Sequence, residues 1–427
     1  MSKQQQIKAV RGMNDLLPPE SALWARIEGI CDELLGQYSY RRINTPVVES
    51  TALFARSIGD ETDIVAKEMY SFEDRNGDSL TLRPEGTASC VRAGIEHGLF
   101  YNQQQRLWYR GPMYRHERPQ KGRYREFFQL GAEAFGWTGP DIEAELIGLT
   151  DQLFKRLGLE QTELQINCLG DAAARQNYRA ALVGYLQSFA DQLDDDSKRR
   201  LDSNPLRILD SKNPDTQALL VGAPDILDFL SDTSKQHFEQ LQQYLAELGI
   251  EFTINPCLVR GLDYYNDTVF EWINPDFGAQ ATVCGGGRYD HMVEQLGGPP
   301  TACFGFALGM ERLVQMLQEQ AADISQIIDN PDIFIVSIGN SARANALLLQ
   351  QSLCREGVRV QLHCGAGSMK NQFKKADASG ASLVLVIGEQ EVEDGTVALR
   401  SLRQREEQQI IAQNEAVIAV TNRLESL

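Results

Sequence analysis

The sequence predicts an α+β protein that carries a small α/β domain at its C-terminal end. Two observations indicate this fold class. Antiparallel strand pairs with helices grouped around them occupy the first three quarters of the chain, and strands and helices alternate in the last quarter. At 427 residues the chain is too long for one typical hydrophobic core, so two or three domains are expected.

The N-terminal part combines helices with strand pairs. Apolar side chains recur at helical spacing in residues 21–38, and residues 86–97 and 141–157 are also predicted helices. Strand-like runs lie between them at residues 41–48, 69–72, 79–83, 107–115 and 127–135. Asn76-Gly77 stands between two of these runs and is a strong signal for a tight hairpin. These pairs predict an antiparallel sheet.

The composition changes in the middle of the chain. From residue 171 to about 250 aromatic residues become rare, while Gln, Asp and Leu recur at helical spacing, which predicts a helical insertion. Strands resume afterwards at residues 252–259, 269–272, 281–284 and 302–307.

A polar stretch over residues 318–330 is typical of a linker. Beyond it the pattern alternates between strand and helix, at residues 333–338, 342–355, 358–362, 369–379 and 383–387. We therefore expect a first domain over residues 1–325, which contains the insertion, and a second over residues 326–427.

The distribution of charge is uneven. The net charge of −18 argues at first against a nucleic-acid partner, because neutralising phosphates requires Lys and Arg. Basic residues are nevertheless concentrated between Arg106 and Arg125, with Glu117 the only acid among them: Arg106, Arg110, Arg115, Arg118, Lys121, Arg123 and Arg125. A second group is Lys370, Lys374 and Lys375, and residues 198–200 form a third that is more simply a solvated face. Separate basic patches suit a partner that touches several distant points.

Cysteines and histidines show no metal-ligand spacing. The eight cysteines include no C-x-x-C pair and the five histidines are dispersed, so we expect free thiols and no resident metal site. No apolar run is long enough to span a membrane, and the first residues lack an apolar signal core. We expect a cytoplasmic protein with no membrane partner.

The segment over residues 258–265, Leu-Val-Arg-Gly-Leu-Asp-Tyr-Tyr, brings a fixed cation, a carboxylate and two phenols together. The predicted strand 252–259 would place Arg260 at a strand end, where it can aim its charge at an anionic oxygen. Tyr264 and Tyr265 can line a pocket for a small polar ring. Taken alone, a surface turn with an Arg–Asp pair explains the segment equally well. A second segment, Cys-Gly-Gly-Gly-Arg-Tyr-Asp at residues 284–290, follows about twenty residues later.

Together the two segments resemble the two signature motifs of histidyl-tRNA synthetases, and the resemblance extends over nearly the whole chain. Residues 114–129 resemble motif 2 of class II aminoacyl-tRNA synthetases, residues 305–313 resemble motif 3, and Thr45-Pro46 resembles motif 1. The resemblance implies a class II antiparallel sheet flanked by helices, with a helical insertion and a C-terminal α/β anticodon-binding domain. Through motif 1 it also implies a homodimer.

The resemblance implies an ATP site that is built from side chains, since no Walker phosphate loop occurs. Arg115 would hold the α-phosphate, Phe127 and Arg312 would cover the two faces of the adenine, and Glu117 would accept from its amino group. The implied ATP-binding residues are Arg115, Glu117, Arg123, Tyr124, Phe127 and Arg312. Mg²⁺ would serve the β- and γ-phosphates.

The resemblance also implies a histidine pocket. Glu133 and Tyr265 would bind the two imidazole nitrogens, and strand alternation places Gln129 on the same side as Glu133. The implied histidine-binding residues are Glu85, Gly86, Thr87, Arg115, Gln129, Glu133, Arg260, Tyr264, Tyr265 and Tyr289. Arg260 and Arg115 would be catalytic, with Arg260 stabilising the charge that develops on the phosphoryl oxygens.

The function that the resemblance implies is histidine–tRNA ligase, with L-histidine, ATP and tRNA(His) as substrates. An alternative is a synthetase-like, histidine-sensing regulatory subunit of ATP phosphoribosyltransferase, which lacks the C-terminal domain and the ATP arginines. This chain retains Arg115, Arg260 and Arg312 and has about a hundred residues beyond the linker. A class II synthetase for proline or threonine would share motifs 2 and 3 but not residues 260–265.

Overall fold

The computed structural model describes residues 7–59, 62–120, 122–159, 161–320, 330–365, 367–404 and 406–426. Two compact units make up the chain, Met1–Ile324 and Ser325–Leu427. Most of the predicted linker and Lys121 of the basic loop lie outside the described residues.

The first unit combines two sheets with surrounding helices. Its α-helices are α1 (Glu20–Gln37), α2 (Thr51–Ile58), α3 (Thr87–Glu96), α4 (Asp141–Leu157), α5 (Ala172–Gln187), α6 (Asp195–Ser203), α7 (Pro214–Leu220), α8 (Asp232–Glu247), α9 (Met292–Gln295) and α10 (Met310–Gln320). Its strands are β1 (Arg41–Arg42), β2 (Val48–Ser50), β3 (Tyr70–Glu73), β4 (Ser79–Leu82), β5 (Gln105–Tyr114), β6 (Glu126–Phe135), β7 (Glu163–Cys168), β8 (Phe252–Ile254), β9 (Asn266–Ile273), β10 (Thr282–Arg288) and β11 (Cys303–Gly309).

The large sheet has the strand order β1-β5-β6-β11-β10-β9-β7-β8. Its inner pairs, from β5 to β7, are antiparallel, and only the edge pairs β1–β5 and β7–β8 are parallel. A small antiparallel sheet has the order β2-β4-β3. The predicted α+β class and antiparallel sheet are therefore confirmed.

Two glycines in β10 leave room for close neighbours. One lies against the backbone of β11 and the other against the side chain of Arg260. A Cβ at Gly286 would clash with the carbonyl oxygen of Gly305 on β11, and one at Gly285 would lie 2.5 Å from Nη1 of Arg260. Glycine normally weakens a strand interior. Here it clears the space in which the arginine lies.

Two predicted strands are shorter in the structure. The strand predicted over residues 252–259 ends at Ile254, because the Asn255 side chain accepts from the N–H of Cys257 at 3.0 Å and starts a turn. Arg260 therefore lies in a loop and not at a strand end. The strand predicted over residues 41–48 is interrupted around Pro46, which has no N–H to donate. Strand β7 was not predicted.

The helical insertion shares its core with the sheet. Tyr178, Leu182 and Leu186 of α5 belong to the same buried cluster as Val259 and Tyr264 of the signature segment. The insertion therefore packs directly behind the residues that the sequence singled out.

The second unit has a five-stranded mixed sheet with helices. Its strands are β12 (Ile333–Ser337), β13 (Val360–Leu362), β14 (Leu383–Ile387), β15 (Thr396–Ser401) and β16 (Gln409–Ala412), in the order β13-β12-β14-β15-β16. Its helices are α11 (Asn340–Arg355), α12 (Met369–Ala378), α13 (Glu389–Glu393) and α14 (Ala416–Glu425). Parallel pairing of β13, β12 and β14 confirms the predicted strand–helix alternation. Over the described ranges, no helix is both long and apolar enough to cross a membrane.

Candidate active site

A cleft of about 710 Å³ lies in the first unit, where the predicted motifs meet. Most of the site residues predicted from the sequence line it: Glu85, Thr87, Arg115, Glu117, Arg123, Tyr124, Phe127, Gln129, Arg260, Tyr264, Tyr265 and Arg312. Gly86, Glu133 and Tyr289 do not line the cleft. They pack beneath residues that do, so the structure brings the predicted set together in two layers.

Glu85 is held by the start of a helix. Its carboxylate accepts from the backbone N–H of Thr87 at 2.7 Å and of Ala88 at 2.8 Å, in the first turn of α3. Burial raises the pKa of Glu85, and these hydrogen bonds oppose that rise. At Gly86 a Cβ would clash with the ring of Tyr109, so this position requires glycine. The arrangement fixes one carboxylate at the cleft wall, where it can receive a cation.

Glu133 is the centre of a buried hydroxyl network. Its carboxylate accepts from Thr87 Oγ1 at 2.8 Å, from the Tyr109 hydroxyl at 3.1 Å and from the Tyr289 hydroxyl at 2.5 Å. Burial raises the pKa of Glu133 to about 8. Tyr109 was not among the predicted site residues. Its signal in the sequence was the glycine at 131, which pairs with Tyr109 across β5 and β6 and leaves room for the ring.

Three tyrosines form an aromatic cluster beside this network. The rings of Tyr264 and Tyr265 are 4.6 Å apart, and those of Tyr264 and Tyr289 are 5.6 Å apart. All three are nearly fully buried. The cluster supplies apolar ring faces together with hydroxyl groups, the combination that a small polar ring requires.

Arg260 is paired with a carboxylate that the sequence analysis missed. Its Nη1 donates to Oε1 of Glu271 on β9, and Thr282 Oγ1 donates to the other oxygen of Glu271 at 2.8 Å. Burial lowers the pKa of Arg260, but the charge and hydrogen bond of Glu271 together with the neighbouring tyrosines outweigh this effect, and the net pKa is raised. The guanidinium also lies 6.0 Å from the ring of Tyr265. Glu271 could not be identified from sequence because only the pairing of β9 with β10 brings it to the cleft.

One wall of the cleft comes from the motif 2 hairpin. Arg115 Nε donates to the carbonyl oxygen of Pro84 at 3.0 Å, and its guanidinium lies 5.3 Å from the ring of Phe127. Glu117 and Arg123 form an ion pair at 3.4 Å. The hairpin thus presents cations and an aromatic face to the same space.

Arg312 completes that wall from the first turn of α10. It is buried, burial lowers its pKa, and its guanidinium lies 5.7 Å from the ring of Phe277. The neighbouring Glu311 accepts from the backbone N–H of Phe128 at 2.9 Å, which ties α10 to β6. Burial raises the pKa of Glu311 to about 7.

The helical insertion contributes to the rim of the cleft. Arg200 forms a 3.6 Å ion pair with Asp63, and Asn204 donates to Asp263 of the signature segment at 3.0 Å. Arg199 and Arg200 of the predicted solvated face both line the cleft, where the Arg199 side chain is 72% exposed and that of Arg200 is 31% exposed.

The cleft provides carboxylates that could face a cation. Among the described residues, no group of three His, Cys, Asp or Glu side chains could hold a metal ion. Glu68 and Glu117 both line the cleft, and the pKa of Glu68 is raised by burial and then by the charge of Glu117. Glu68 therefore supplies a carboxylate at the cleft that could face a cation arriving with a ligand.

These features define a class II aminoacyl-tRNA synthetase: a large antiparallel sheet, a motif 2 hairpin, a motif 3 strand and helix, and a separate α/β domain. The model of the histidyl-tRNA synthetase family matches residues 12–313, and that of an anticodon-binding domain matches residues 332–423. The chain belongs to the histidyl-tRNA synthetase family.

One solved structure supports the same family, and two others share the fold. Apo histidyl-tRNA synthetase from S. aureus is 38% identical, with a TM-score of 0.81, over 97% of this chain and 100% of that one. Histidyl-tRNA synthetase from Nostoc sp. PCC 7120 shares the fold at 18% identity, with a TM-score of 0.71, over 98% and 100% of the two chains. An ATP phosphoribosyltransferase regulatory subunit/histidyl-tRNA synthetase from Bacillus halodurans C shares it at 23% identity, with a TM-score of 0.67, over 91% and 99%.

Proposed function

We propose that the cleft activates L-histidine with ATP to form histidyl-adenylate and then transfers the histidyl group to the terminal adenosine of tRNA(His). The observation that carries this proposal is the convergence of Arg115, Arg260 and Arg312 in one cleft with a tyrosine-lined pocket. Guanidinium groups match the charge and geometry of phosphates, and an imidazole needs one donor and one acceptor on opposite edges.

We assign histidine recognition to the buried residues Gly86, Glu133 and Tyr289 and to the part of the cleft lining next to them. Glu85 would bind the α-ammonium group together with Gly86, Thr87 and Gln129. Tyr265 and Glu133 would bind the two imidazole nitrogens, with Tyr264 and Tyr289 packed around the ring. Glu133 already has three hydroxyl partners, so we propose that the ring replaces the Thr87 hydroxyl, which also faces the cleft.

We assign ATP to the wall formed by motifs 2 and 3. Arg115 would hold the α-phosphate and the substrate carboxylate, and the adenine would lie between Phe127 and Arg312. Glu117 would accept from the adenine amino group, with Arg123 and Tyr124 completing the site. The ion pair between Glu117 and Arg123 supports this assignment because it holds the carboxylate at the cleft.

The reaction itself needs little covalent help from the protein. The histidine carboxylate attacks the α-phosphorus, a new phosphorus–oxygen bond forms, and pyrophosphate leaves with its electron pair. Negative charge grows on the phosphoryl oxygens at that moment. Arg260 is a fixed, desolvated cation at the cleft wall, and a charge that is held in place beforehand stabilises such a transition state efficiently.

Mg²⁺ is expected to accompany the nucleotide. Glu117 is assigned to the adenine, so Glu68 is the cleft carboxylate that would face the ion, and phosphate and water oxygens would supply the other ligands. When bound, the ion would neutralise charge on the β- and γ-phosphates.

We propose that residues 326–427 form the domain that binds the tRNA anticodon arm, while residues 1–325, with the helical insertion at about 171–250, form the catalytic domain. A groove in the second unit supports this role. It is lined along α12 and β15 by Ser368, Lys370, Asn371, Phe373, Lys374, Asp377, Arg400 and Leu402. Three of these side chains are cations that a phosphate backbone would attract.

We further propose that the protein is a homodimer in the cytoplasm. In class II synthetases motif 1 supports the dimer interface, and here Arg83 ties it to the active-site strands: Nη1 donates to the Thr45 carbonyl at 2.9 Å and Nε to the Pro112 carbonyl at 3.0 Å. The eight cysteines are free thiols, which suits a reducing compartment.

The regulatory-subunit alternative is less well supported. A histidine sensor needs the tyrosine pocket but not the ATP arginines, and this chain has both in one cleft. It also has an anticodon-binding domain over residues 332–423.

Amino-acid-dependent exchange of pyrophosphate into ATP tests the proposal. Histidine alone is expected to support exchange, since a buried polar site rejects an analogue that leaves its groups unpaired by about 10⁴-fold or more. Equal exchange with proline or threonine would contradict the substrate assignment. Histidine binding without any exchange would favour the sensor instead.

A further inference from the structure

Arg175 connects the helical insertion to the backbone of the tyrosine pocket. It lies on α5, whose start is fixed by Asp171, the side chain of which accepts from the Ala174 N–H at 2.8 Å. Arg175 Nη1 donates to the carbonyl oxygen of Tyr265 at 2.7 Å. This is a charge-assisted hydrogen bond to the main chain of a cleft-lining residue, made from outside the catalytic sheet.

The environment of Arg175 is too constrained for a solvated surface cation. Its Nε is buried and makes no hydrogen bond within the described residues. Burial lowers the pKa of Arg175, and the charges of Asp267 and Asp171 oppose that effect. Burying a guanidinium even partly is costly unless it is hydrogen-bonded, and Arg175 donates to the Tyr265 carbonyl.

The backbone that follows Tyr265 is held from other sides as well. Asp267 has a φ of +45°, a region that side-chain-bearing residues seldom adopt. Its Oδ1 accepts from the Ser234 hydroxyl of α8 at 2.8 Å. Asn266 Oδ1 accepts from the Asp290 N–H at 2.8 Å. Tyr265 therefore begins a segment whose unusual backbone is kept in place by both ends of the insertion.

We infer that Arg175 is a positioning residue for Tyr265, and that the helical insertion thereby sets the shape of the histidine pocket. This inference rests on the proposed function for its kinetic consequences but not for its structural ones. Loss of the Arg175 hydrogen bond frees the Tyr265 carbonyl and lets the phenol shift relative to Tyr264, whose ring centroid lies 4.6 Å away. The residues proposed to bind ATP lie in motifs 2 and 3, on other elements, so their positions should not change.

The kinetic test is pyrophosphate exchange with Arg175→Ala. We expect the KM for histidine to rise by about 10- to 100-fold, the size of effect that small misplacements of a binding group produce. The KM for ATP should stay within about twofold of the wild type. Arg175→Lys, which retains a charged donor, should recover part of the loss. Arg179→Ala is the matched control, because Arg179 lies one turn along α5 and donates to the Ser203 carbonyl at 3.0 Å inside the insertion.

A structural measurement separates this inference from the proposed function. Amide hydrogen exchange of the protein without substrates should be faster at residues 264–269 in Arg175→Ala than in the wild type or in Arg179→Ala, with an unchanged pattern in β5 and β6. Unchanged exchange at residues 264–269 would overturn the inference. So would equal rises in the KM values for histidine and ATP, or the same kinetic effect from Arg179→Ala. If the wild type showed no histidine-dependent pyrophosphate exchange, the proposed function would fail. The amide hydrogen exchange measurement would still decide the role of Arg175.

Discussion

The buried carboxyl of Glu133 should make the stability of the protein depend on pH in a specific direction. Its folded pKa of about 8 lies well above the ordinary value of 4.5, and burial is the main cause. Glu133→Gln removes the titration but keeps a side chain of the same shape that still accepts a hydrogen bond. The comparison of wild type and variant isolates this group from all other titrations.

The sign follows from which state holds the proton. Between pH 4.5 and pH 8 the folded protein retains a proton on Glu133 that the unfolded chain has lost, so stability falls as pH rises. The stabilising contribution is complete below about pH 4.5 and gone above about pH 8. Each pKa unit is worth about 1.4 kcal/mol, so the free energy of unfolding of the wild type should drop relative to Glu133→Gln by up to about 5 kcal/mol across this window.

Urea unfolding at intervals from pH 4.5 to pH 8.5, monitored by intrinsic fluorescence, measures this difference. A second variant sharpens the test. Burial raises the pKa of Glu311 to about 7. The difference in the free energy of unfolding between Glu311→Gln and the wild type should therefore stop changing at a lower pH than the difference for Glu133→Gln. A constant offset between wild type and Glu133→Gln at every pH would refute the reasoning, because it would mean that the carboxyl is ionised throughout.

Three other predictions concern catalysis and assembly. Arg260→Ala should lower kcat for pyrophosphate exchange by about 10²–10³ with little change in the KM for histidine, because the charge that it stabilises develops only in the transition state; an effect confined to KM would make Arg260 a binding residue. Sedimentation at micromolar concentration should give about twice the mass of the chain, and an active monomer would contradict the proposed dimer. Deletion of residues 325–427, which form a compact unit of their own, should spare histidine-dependent exchange but greatly reduce tRNA charging, because phosphate contacts are lost. Undiminished charging by a truncated protein that still folds and dimerises would refute the anticodon-binding role.

The sequence predicted best those features that short motifs encode. Arg115, Arg260 and Arg312 each lie in a segment whose residue types are informative by themselves, and the structure brings all three to one cleft. The long hairpin strands β5 and β6 were also predicted, because their apolar runs are long and clearly bounded. Local patterns were sufficient for these features.

Residues whose role depends on distant pairing could not be predicted. Glu271 is an ordinary strand residue in sequence, and it meets Arg260 only because β9 pairs with β10 so that Glu271 lies opposite Gly285. Arg200 similarly depends on Asp63, which is far away along the chain. The end of β8 at Ile254 was missed for a local reason, since a hydrogen bond from the backbone to the Asn255 side chain competed with the β-propensity of the following residues.

The glycines of β10 have a consequence for how this protein should be mapped by mutagenesis. An alanine scan identifies important positions by removing atoms, but Gly285 and Gly286 matter because of atoms that they do not have. Alanine at 285 would add a methyl group where the Arg260 guanidinium lies, and alanine at 286 would press against the neighbouring strand. The shape of this cleft therefore depends on the space that these two glycines leave unfilled. A scan that skips glycines would miss it. A library that samples every residue should find almost no tolerated replacement at 286, where backbone atoms lie, while replacements at 285 should displace the Arg260 guanidinium and lower activity.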